Sequence, residues 1–169
     1  NLVAAEHVVA IHDARTAPEI PSLQRAGFMV TSHHTTVRDF EDPHERQTRY
    51  LAEIAELVKG LTGAADVRPL PGVFVRYADR ADPARSTWTA APARYVHCDF
   101  TDGSARQFFL PKVMDPAEAV KRYGRILVYQ TWRALSEPPQ DVPLAICDGR
   151  TCTPADYVTA ESSVSYRGS

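Results

Sequence analysis

Apolar residues recur at spacings of three and four in one long segment of the chain, which predicts an amphipathic helix. Asp42 is a suitable N-cap, Pro43 stands at the first helical position, and Glu45 can complete a capping box. Gly60 and Gly63 are candidate C-terminal stops. We expect this helix to pack on a sheet and to have a structural role. Its apolar face consists of Tyr50, Leu51, Ile54, Leu57, Val58 and Leu61.

Short runs of β-branched and aromatic residues, separated by proline and glycine, predict strands along much of the remaining chain. Asp115-Pro116 predicts a second helix that ends near Tyr123, and Thr153 predicts a short third helix that ends near Ala160. Trp88 lies in a polar segment that predicts a long loop, where it either packs the loop down or covers a pocket. The loop is residues 78–92, a polar tail is residues 162–169, and the candidate strands are residues 2–3, 7–11, 27–30, 67–70, 73–77, 94–101, 107–110, 125–132 and 144–147.

The bulk composition is that of an ordinary globular domain. The chain has 169 residues, of which 44% are hydrophobic and 24% charged, and its net charge of −2 gives no footprint for nucleic acid or an anionic membrane. No apolar run approaches the roughly 20 residues that span a bilayer. We expect a single domain over residues 1–169, with N-terminal strands and the covering helix in residues 1–66 and the main strand-rich core in residues 67–169. The chain has no initiator Met, which suggests a piece of a longer protein.

The cysteines predict a reducing compartment, which we expect to be the cytoplasm. There are three of them, an odd number without the spacing of a disulfide framework. Cys147 and Cys152 are five residues apart with no partner pair, so we do not expect a zinc site.

The most informative polar residues lie in the candidate strand over residues 94–101. Side chains two residues apart share a face of a strand, so His97 and Asp99 project together while Cys98 projects to the other side. An imidazole and a carboxylate on one face are two of the three ligands of the 2-His-1-carboxylate triad that binds Fe(II). The alternative is a histidine at a strand end that is hydrogen-bonded to a nearby carboxylate. His33 and His34 lie in a polar stretch and are either solvated or in contact with a ligand or substrate.

A series of motifs in a fixed order resembles a family of small-molecule oxygenases of secondary metabolism. The family includes the cephamycin 7α-hydroxylation protein, fungal gibberellin desaturase-like proteins and a fungal meroterpenoid endoperoxide-forming enzyme. The resemblance implies a mainly β fold with flanking helices, built on a double-stranded β-helix (jelly-roll, cupin-like) core that is incomplete at the C-terminus of this chain. It also implies a site for Fe(II) and 2-oxoglutarate. The matching segments are residues 27–40, 62–67, 96–101, 129–135, 141–150 and 156–158.

The same resemblance implies roles for individual residues. His97 and Asp99 would bind the iron, and Gln130 would donate a hydrogen bond to a carboxylate of 2-oxoglutarate. Arg133 either pairs with an acid of the co-substrate or forms a structural ion pair, and Tyr95 either touches the co-substrate or packs in the core. The family also has a later, distal histidine, but no histidine follows His97 here. A segment beyond Ser169 could carry it, the ligand could be lost, or one of the N-terminal histidines could replace it: His7, His12, His33, His34 or His44.

These observations lead to two main hypotheses of function. The first is an Fe(II)/2-oxoglutarate-dependent oxygenase that hydroxylates or desaturates a small-molecule natural product, for example in antibiotic biosynthesis. The second is a non-catalytic family member without a complete iron triad, acting as a partner subunit or a small-molecule-binding module. A metal-independent cupin-like binder is a third. The expected partners are a small-molecule substrate and a second copy or a partner enzyme, with no nucleic acid and no membrane.

Overall fold

The computed structural model describes residues 5–77, 95–140 and 142–160. The chain divides into two compact units, one of Asn1–Ser32 with Leu144–Ser169 and one of His33–Pro143. The strand predicted at residues 2–3, the whole predicted loop at 78–92 with Trp88, and the polar tail at 162–169 lie outside the described residues, as does the first residue of the strand predicted at 94–101.

The longest helical stretch begins where the sequence predicts it. Helix α1 spans Pro43–Glu45, continues through a π-helical turn over Arg46–Tyr50, and leads into helix α2 over Leu51–Thr62. The Asp42 carboxylate accepts a hydrogen bond from the backbone N–H of His44 at 2.8 Å, which satisfies a donor that the first helical turn leaves unpaired.

Glycine ends α2 because the chain there adopts a left-handed conformation. Gly63 has φ +66° and its N–H donates to the carbonyl of Lys59 at 2.9 Å. Gly60, the other predicted stop, lies inside the helix.

The capping box predicted at Glu45 is not found. The Glu45 carboxylate instead accepts hydrogen bonds from the backbone N–H groups of Arg38 at 2.7 Å and Asp39 at 3.3 Å. These two bonds lower the pKa of Glu45. Glu45 therefore ties the preceding segment to the start of the helix, a role that the local sequence pattern could not distinguish from a capping box.

Four further helical elements follow among the residues of the unit His33–Pro143 that the structure describes. They are helix α3 over Asp102–Ser104, a π-helical turn over Ala105–Phe109, a 3₁₀ turn over Leu110–Lys112 and helix α4 over Pro116–Arg122. Asp115 caps α4 as predicted, accepting from the N–H of Glu118 at 2.9 Å. In the other unit, 3₁₀ turns span Gly149–Thr151 and Pro154–Asp156, so the third predicted helix is reduced to one turn.

The prediction of a mainly β fold with a jelly-roll core was wrong: residues 5–77, 95–140 and 142–160 contain no strand, and helix α2 has no sheet to pack on. Strands require a ladder of hydrogen bonds to a neighbouring strand. Within these ranges, backbone hydrogen bonds outside the helices join residues three or four apart, apart from Gly149 N–H to the Ala26 carbonyl at 2.9 Å. The β-favouring side chains produce extended backbone only.

Residues 107–110, predicted as a returning strand, are helical instead. Thr101 Oγ1 accepts from the N–H of Ser104 at 3.2 Å, and Ser104 Oγ accepts from the N–H of Thr101 at 2.8 Å. This reciprocal cap starts α3 at Asp102. The cap therefore overrides the strand propensity of the aromatic residues that follow it.

Few apolar side chains are buried among the described residues. The buried ones are Pro21, Ala26, Tyr50 and Ala119. The Phe40 ring meets the Tyr50 ring edge-on, with centroids 5.2 Å apart. Where the structure describes the chain, no helix has the length and apolar character needed to cross a membrane.

Candidate functional site

The extended segment before helix α3 brings together three of the side chains that the sequence analysis predicted as site residues. The Nε2 atom of His97 lies 3.4 Å from Oδ1 of Asp99. The Tyr95 ring lies against the His97 ring, with centroids 4.8 Å apart and planes inclined at 40°. The side chains of His97 and Asp99 are 39% and 53% exposed, so a dissolved ion can reach them.

A backbone carbonyl orients the His97 ring. Nδ1 of His97 lies 2.9 Å from the carbonyl oxygen of Tyr95 and donates a proton to it. In the neutral ring, Nε2 then carries a lone pair, and this lone pair faces the Asp99 carboxylate. A cation placed between these two acceptors, either a proton or a metal ion, would be bound by both of them.

The pair fits a divalent metal ion. Histidine ligands in metal sites commonly donate their second ring N–H to a carbonyl, as His97 does. Nitrogen and oxygen donors that bind side by side at about 2.1 Å from a first-row metal lie about 3 Å apart. The observed separation of 3.4 Å is within a small side-chain rotation of that value.

A third ligand does not join the pair within the described residues, where no group of three or more His, Cys, Asp or Glu side chains is placed to hold a metal ion. His33, one of the predicted substitutes, has another partner. Its Nδ1 atom lies 2.5 Å from Nη2 of Arg133, which also donates to the His33 carbonyl at 3.0 Å. The adjacent guanidinium charge opposes binding of a cation at His33.

Of the three residues predicted to contact 2-oxoglutarate, Tyr95 lies against His97, whereas Gln130 and Arg133 make no contact with His97 or Asp99 among the described residues. Arg133 is half-buried and its guanidinium stands over the Tyr50 ring, 5.6 Å from the centroid. Gln130 is exposed. The described contacts of Arg133 are with His33 and Tyr50 and are not the structural ion pair that was the alternative to a co-substrate contact.

Glu53 on helix α2 is a polar centre that the sequence pattern did not reveal. Its carboxylate accepts from Thr35 Oγ1 at 2.5 Å, from Thr36 Oγ1 at 2.6 Å and from the Thr36 N–H at 2.8 Å. Partial burial opposes ionisation, but these hydrogen bonds outweigh it and hold the pKa of Glu53 at about 2. Glu53 also lines an open groove of about 460 Å³ with His33, Ala52, Glu56 and Leu57.

The matched segment that ends at Arg150 contains a structural ion-pair cluster. Arg150 Nη2 lies 2.6 Å from Oδ2 of Asp148 and Arg150 also pairs with Glu19. A Cβ at Gly149 would lie 3.0 Å from the carbonyl oxygen of Ala26, so glycine allows the close backbone contact there. The hydrogen bonds from Arg150 lower the pKa of Asp148. This cluster joins segments of its own unit that are distant in the sequence.

Comparisons with known proteins identify relatives along nearly the whole chain. The family described as Oxidoreductase/YMDC permease-like domain matches residues 1–168. The Fe(II)/2-oxoglutarate-dependent dioxygenase nvfI of Aspergillus novofumigatus is 33% identical over 156 residues, which cover 89% of this chain and 54% of that protein. The hydroxylase/desaturase CTB9 of Cercospora beticola is 28% identical over 153 residues, covering 85% and 47%.

A third relative is the alpha-ketoglutarate-dependent dioxygenase tstK of Talaromyces stipitatus, which is 28% identical over 154 residues, covering 89% of this chain and 55% of that protein. The chain thus spans about half the length of the curated relatives that it matches. No solved structure matches it.

Proposed function

This chain belongs to the Oxidoreductase/YMDC permease-like domain family, and from that premise we propose that it forms part of an Fe(II)- and 2-oxoglutarate-dependent oxygenase in which His97 and Asp99 bind the iron. The observation that carries the proposal is the 3.4 Å approach of His97 Nε2 to Asp99 Oδ1, with Nδ1 held by the Tyr95 carbonyl. The relatives named as dioxygenases and as a hydroxylase/desaturase support the assignment of the co-substrate.

Each residue of the segment has a distinct part in this proposal. The Tyr95 carbonyl holds the His97 ring with Nε2 directed to the metal, and the Asp99 carboxylate offsets part of the metal charge. The Tyr95 ring shields one side of the imidazole from water. Bound iron with 2-oxoglutarate supplies the oxidative chemistry that hydroxylates or desaturates a C–H position of the substrate.

The co-substrate contact falls to Gln130 in this proposal, since its amide is exposed and can donate to a carboxylate. Arg133 has an indirect role in this proposal. Its guanidinium contacts Nδ1 of His33 and stacks over the Tyr50 ring. The substrate is a small natural product of secondary metabolism, and the enzyme acts in the cytoplasm, where its cysteines stay reduced.

A titration with Fe(II) and 2-oxoglutarate under anaerobic conditions tests the proposal. We expect a weak visible charge-transfer band in the wild-type protein and its loss in His97→Ala and Asp99→Asn. Asp102→Asn, which changes a nearby exposed carboxylate in the first turn of α3, is the matched control and should keep the band. Absence of the band in the wild type, or its persistence in His97→Ala, would sink the iron assignment.

The same titration locates the third ligand. Alanine variants of the remaining histidines are compared with the wild type, and loss of the band in one of them identifies it as a ligand. Because Arg133 occupies Nδ1 of His33, we expect His33→Ala to keep the band. The variants are His7→Ala, His12→Ala, His33→Ala, His34→Ala and His44→Ala.

A non-catalytic binding subunit is the second candidate, and the absence of a third ligand among the described residues favours it. Succinate release under oxygen separates the two candidates, because an oxygenase converts 2-oxoglutarate to succinate and a binding subunit does not. Binding of Fe(II) at His97 and Asp99 without succinate release, together with assembly of the chain with itself or another enzyme, would support the binding subunit.

A further inference from the structure

The residue that follows Asp99 is anchored to a separate helical element. The Phe100 ring lies against the ring of Phe109 in the π-helical turn Ala105–Phe109, with centroids 5.2 Å apart and planes inclined at 56°. Nζ of Lys112 lies 5.5 Å from the centroid of the Phe109 ring. Both phenylalanines are half-buried, and ring pairs of this kind add to the stabilisation that comes from burial alone. The contact therefore restrains the end of the segment that carries the proposed iron ligands.

The peptide group between Phe100 and Thr101 is held at both of its polar atoms. The Phe100 carbonyl accepts a hydrogen bond from the Cys98 thiol at 3.3 Å, and this bond spans Asp99. The Thr101 N–H donates to Ser104 Oγ at 2.8 Å. Phe100 is thus fixed through its ring, its carbonyl oxygen and the N–H that follows it, and Asp99 is the residue directly before it.

The position of the Asp99 carboxylate depends on this backbone. The His97 ring is oriented by the Tyr95 carbonyl, whereas no hydrogen bond from a described residue orients the Asp99 carboxylate. The Asp99 side chain is also 53% exposed, so packing restrains it little. A ligand that is held in place before the metal arrives loses less conformational entropy on binding. The restraint on Phe100 therefore bears directly on how well Asp99 can bind a metal ion beside His97.

We propose that Phe109 is a positioning residue of the iron site, which acts through Phe100 to hold Asp99 beside His97. The inference rests on the proposed function, because it takes His97 and Asp99 as ligands of Fe(II). Phe109 contacts Phe100 and Lys112 among the described residues, and it touches neither ligand. Removal of its ring should weaken metal binding, because Asp99 then has more conformational freedom to lose on coordination.

An anaerobic titration with Fe(II) at saturating 2-oxoglutarate tests the inference, with the midpoint of the visible charge-transfer band as the readout. Phe109→Leu keeps an apolar side chain but removes the ring, and we expect it to raise the midpoint about fivefold. Phe109→Tyr keeps the ring and should restore the wild-type midpoint. Phe108→Leu is the matched control. The Phe108 side chain is 56% exposed and makes no ring contact with a described residue, so this change should leave the midpoint where it is.

A double-mutant cycle shows whether Phe109 acts through Phe100. Phe100→Leu should raise the midpoint by the same factor as Phe109→Leu, and the double variant should raise it no further, because both changes remove one and the same contact. An unchanged midpoint in Phe109→Leu, an equal rise in Phe108→Leu, or additive effects in the double variant would each overturn the inference and leave the iron assignment in place. Absence of the band in the wild-type protein would overturn both.

Discussion

At the scale of single residues, hydrogen bonds to the backbone decide what the charged side chains can do. His97 has its free nitrogen directed at Asp99 because the carbonyl of Tyr95 takes up the other nitrogen. Glu45 loses its predicted capping role because the N–H groups of Arg38 and Asp39 reach it first. In both cases the side chain behaves according to its neighbours two to seven residues away.

Glu53 provides a stability prediction at this scale. Its carboxylate accepts three hydrogen bonds from Thr35 and Thr36, which lower its pKa from an ordinary 4.5 to about 2. A group whose pKa is lowered by folding stabilises the fold above its unfolded pKa. This contribution should therefore be complete above pH 4.5 and should be lost as the pH falls towards 2.

The test of this prediction is Glu53→Gln. We expect it to lower the free energy of unfolding at neutral pH by about 1 kcal/mol, since solvent screens a half-exposed carboxylate. We also expect the free energy of unfolding of the variant, measured by urea unfolding, to fall less steeply between pH 4.5 and pH 2 than that of the wild type. Glu56→Gln, one turn further along α2, is the control and should change neither quantity. An equally steep fall in Glu53→Gln and in the wild type would contradict the assignment.

At the scale of elements, capping residues predicted the helix ends correctly, whereas the β-propensity of side chains predicted strands that do not form in the described residues. Asp42 and Asp115 start helices and Gly63 ends one, because each signal acts through atoms within four residues. Residues 125–132 have strong β-forming side chains, but a strand also needs a neighbour, and none pairs with them in the described residues.

The two glycines of α2 give a paired prediction with opposite signs. Gly63 has φ +66° and a Cβ there would meet nothing within 4 Å, so Gly63→Ala adds backbone strain alone. We expect a loss of about 1 kcal/mol. Gly60 lies inside the helix, also with open space around its Cβ position, so Gly60→Ala should stabilise by about 0.5–1 kcal/mol.

Urea unfolding followed by the helical circular dichroism signal measures both changes. The pair is its own control, because each variant adds the same methyl group to the same helix. Destabilisation by Gly60→Ala, or no effect of Gly63→Ala, would show that α2 ends elsewhere.

At the scale of the whole molecule, the exposed apolar side chains are the dominant feature. The chain matches about half the length of its curated relatives. Large apolar residues that are at least 60% exposed include Val8, Val9, Ile11, Ile20, Phe74, Tyr95, Val96, Val120, Tyr157 and Val158. Exposed apolar surface of this kind binds hydrophobic dyes.

We therefore expect this 169-residue chain to enhance the fluorescence of 8-anilinonaphthalene-1-sulfonate several-fold at neutral pH. The signal should disappear in denaturing urea, which removes the ordered apolar surface. Dye fluorescence equal to that in buffer would mean that these side chains are covered in solution.

The sequence alone determined the features that depend on near neighbours. It identified the two helix starts, the end of α2, and the placement of His97 and Asp99 on the same side of the backbone. Capping and the alternation of side chains in extended backbone both depend on residues that are close in the sequence. The ordered motifs from Gly27 to Val158 also indicated the family to which the chain belongs.

Only the tertiary structure decided which distant atoms meet. Thr35 and Thr36 reach Glu53 across 18 and 17 residues, Arg133 reaches His33 across 100, and Arg150 reaches Glu19 across 131. It also decided that β-forming segments remain unpaired in the described residues, because pairing is a property of two segments that neither one encodes by itself.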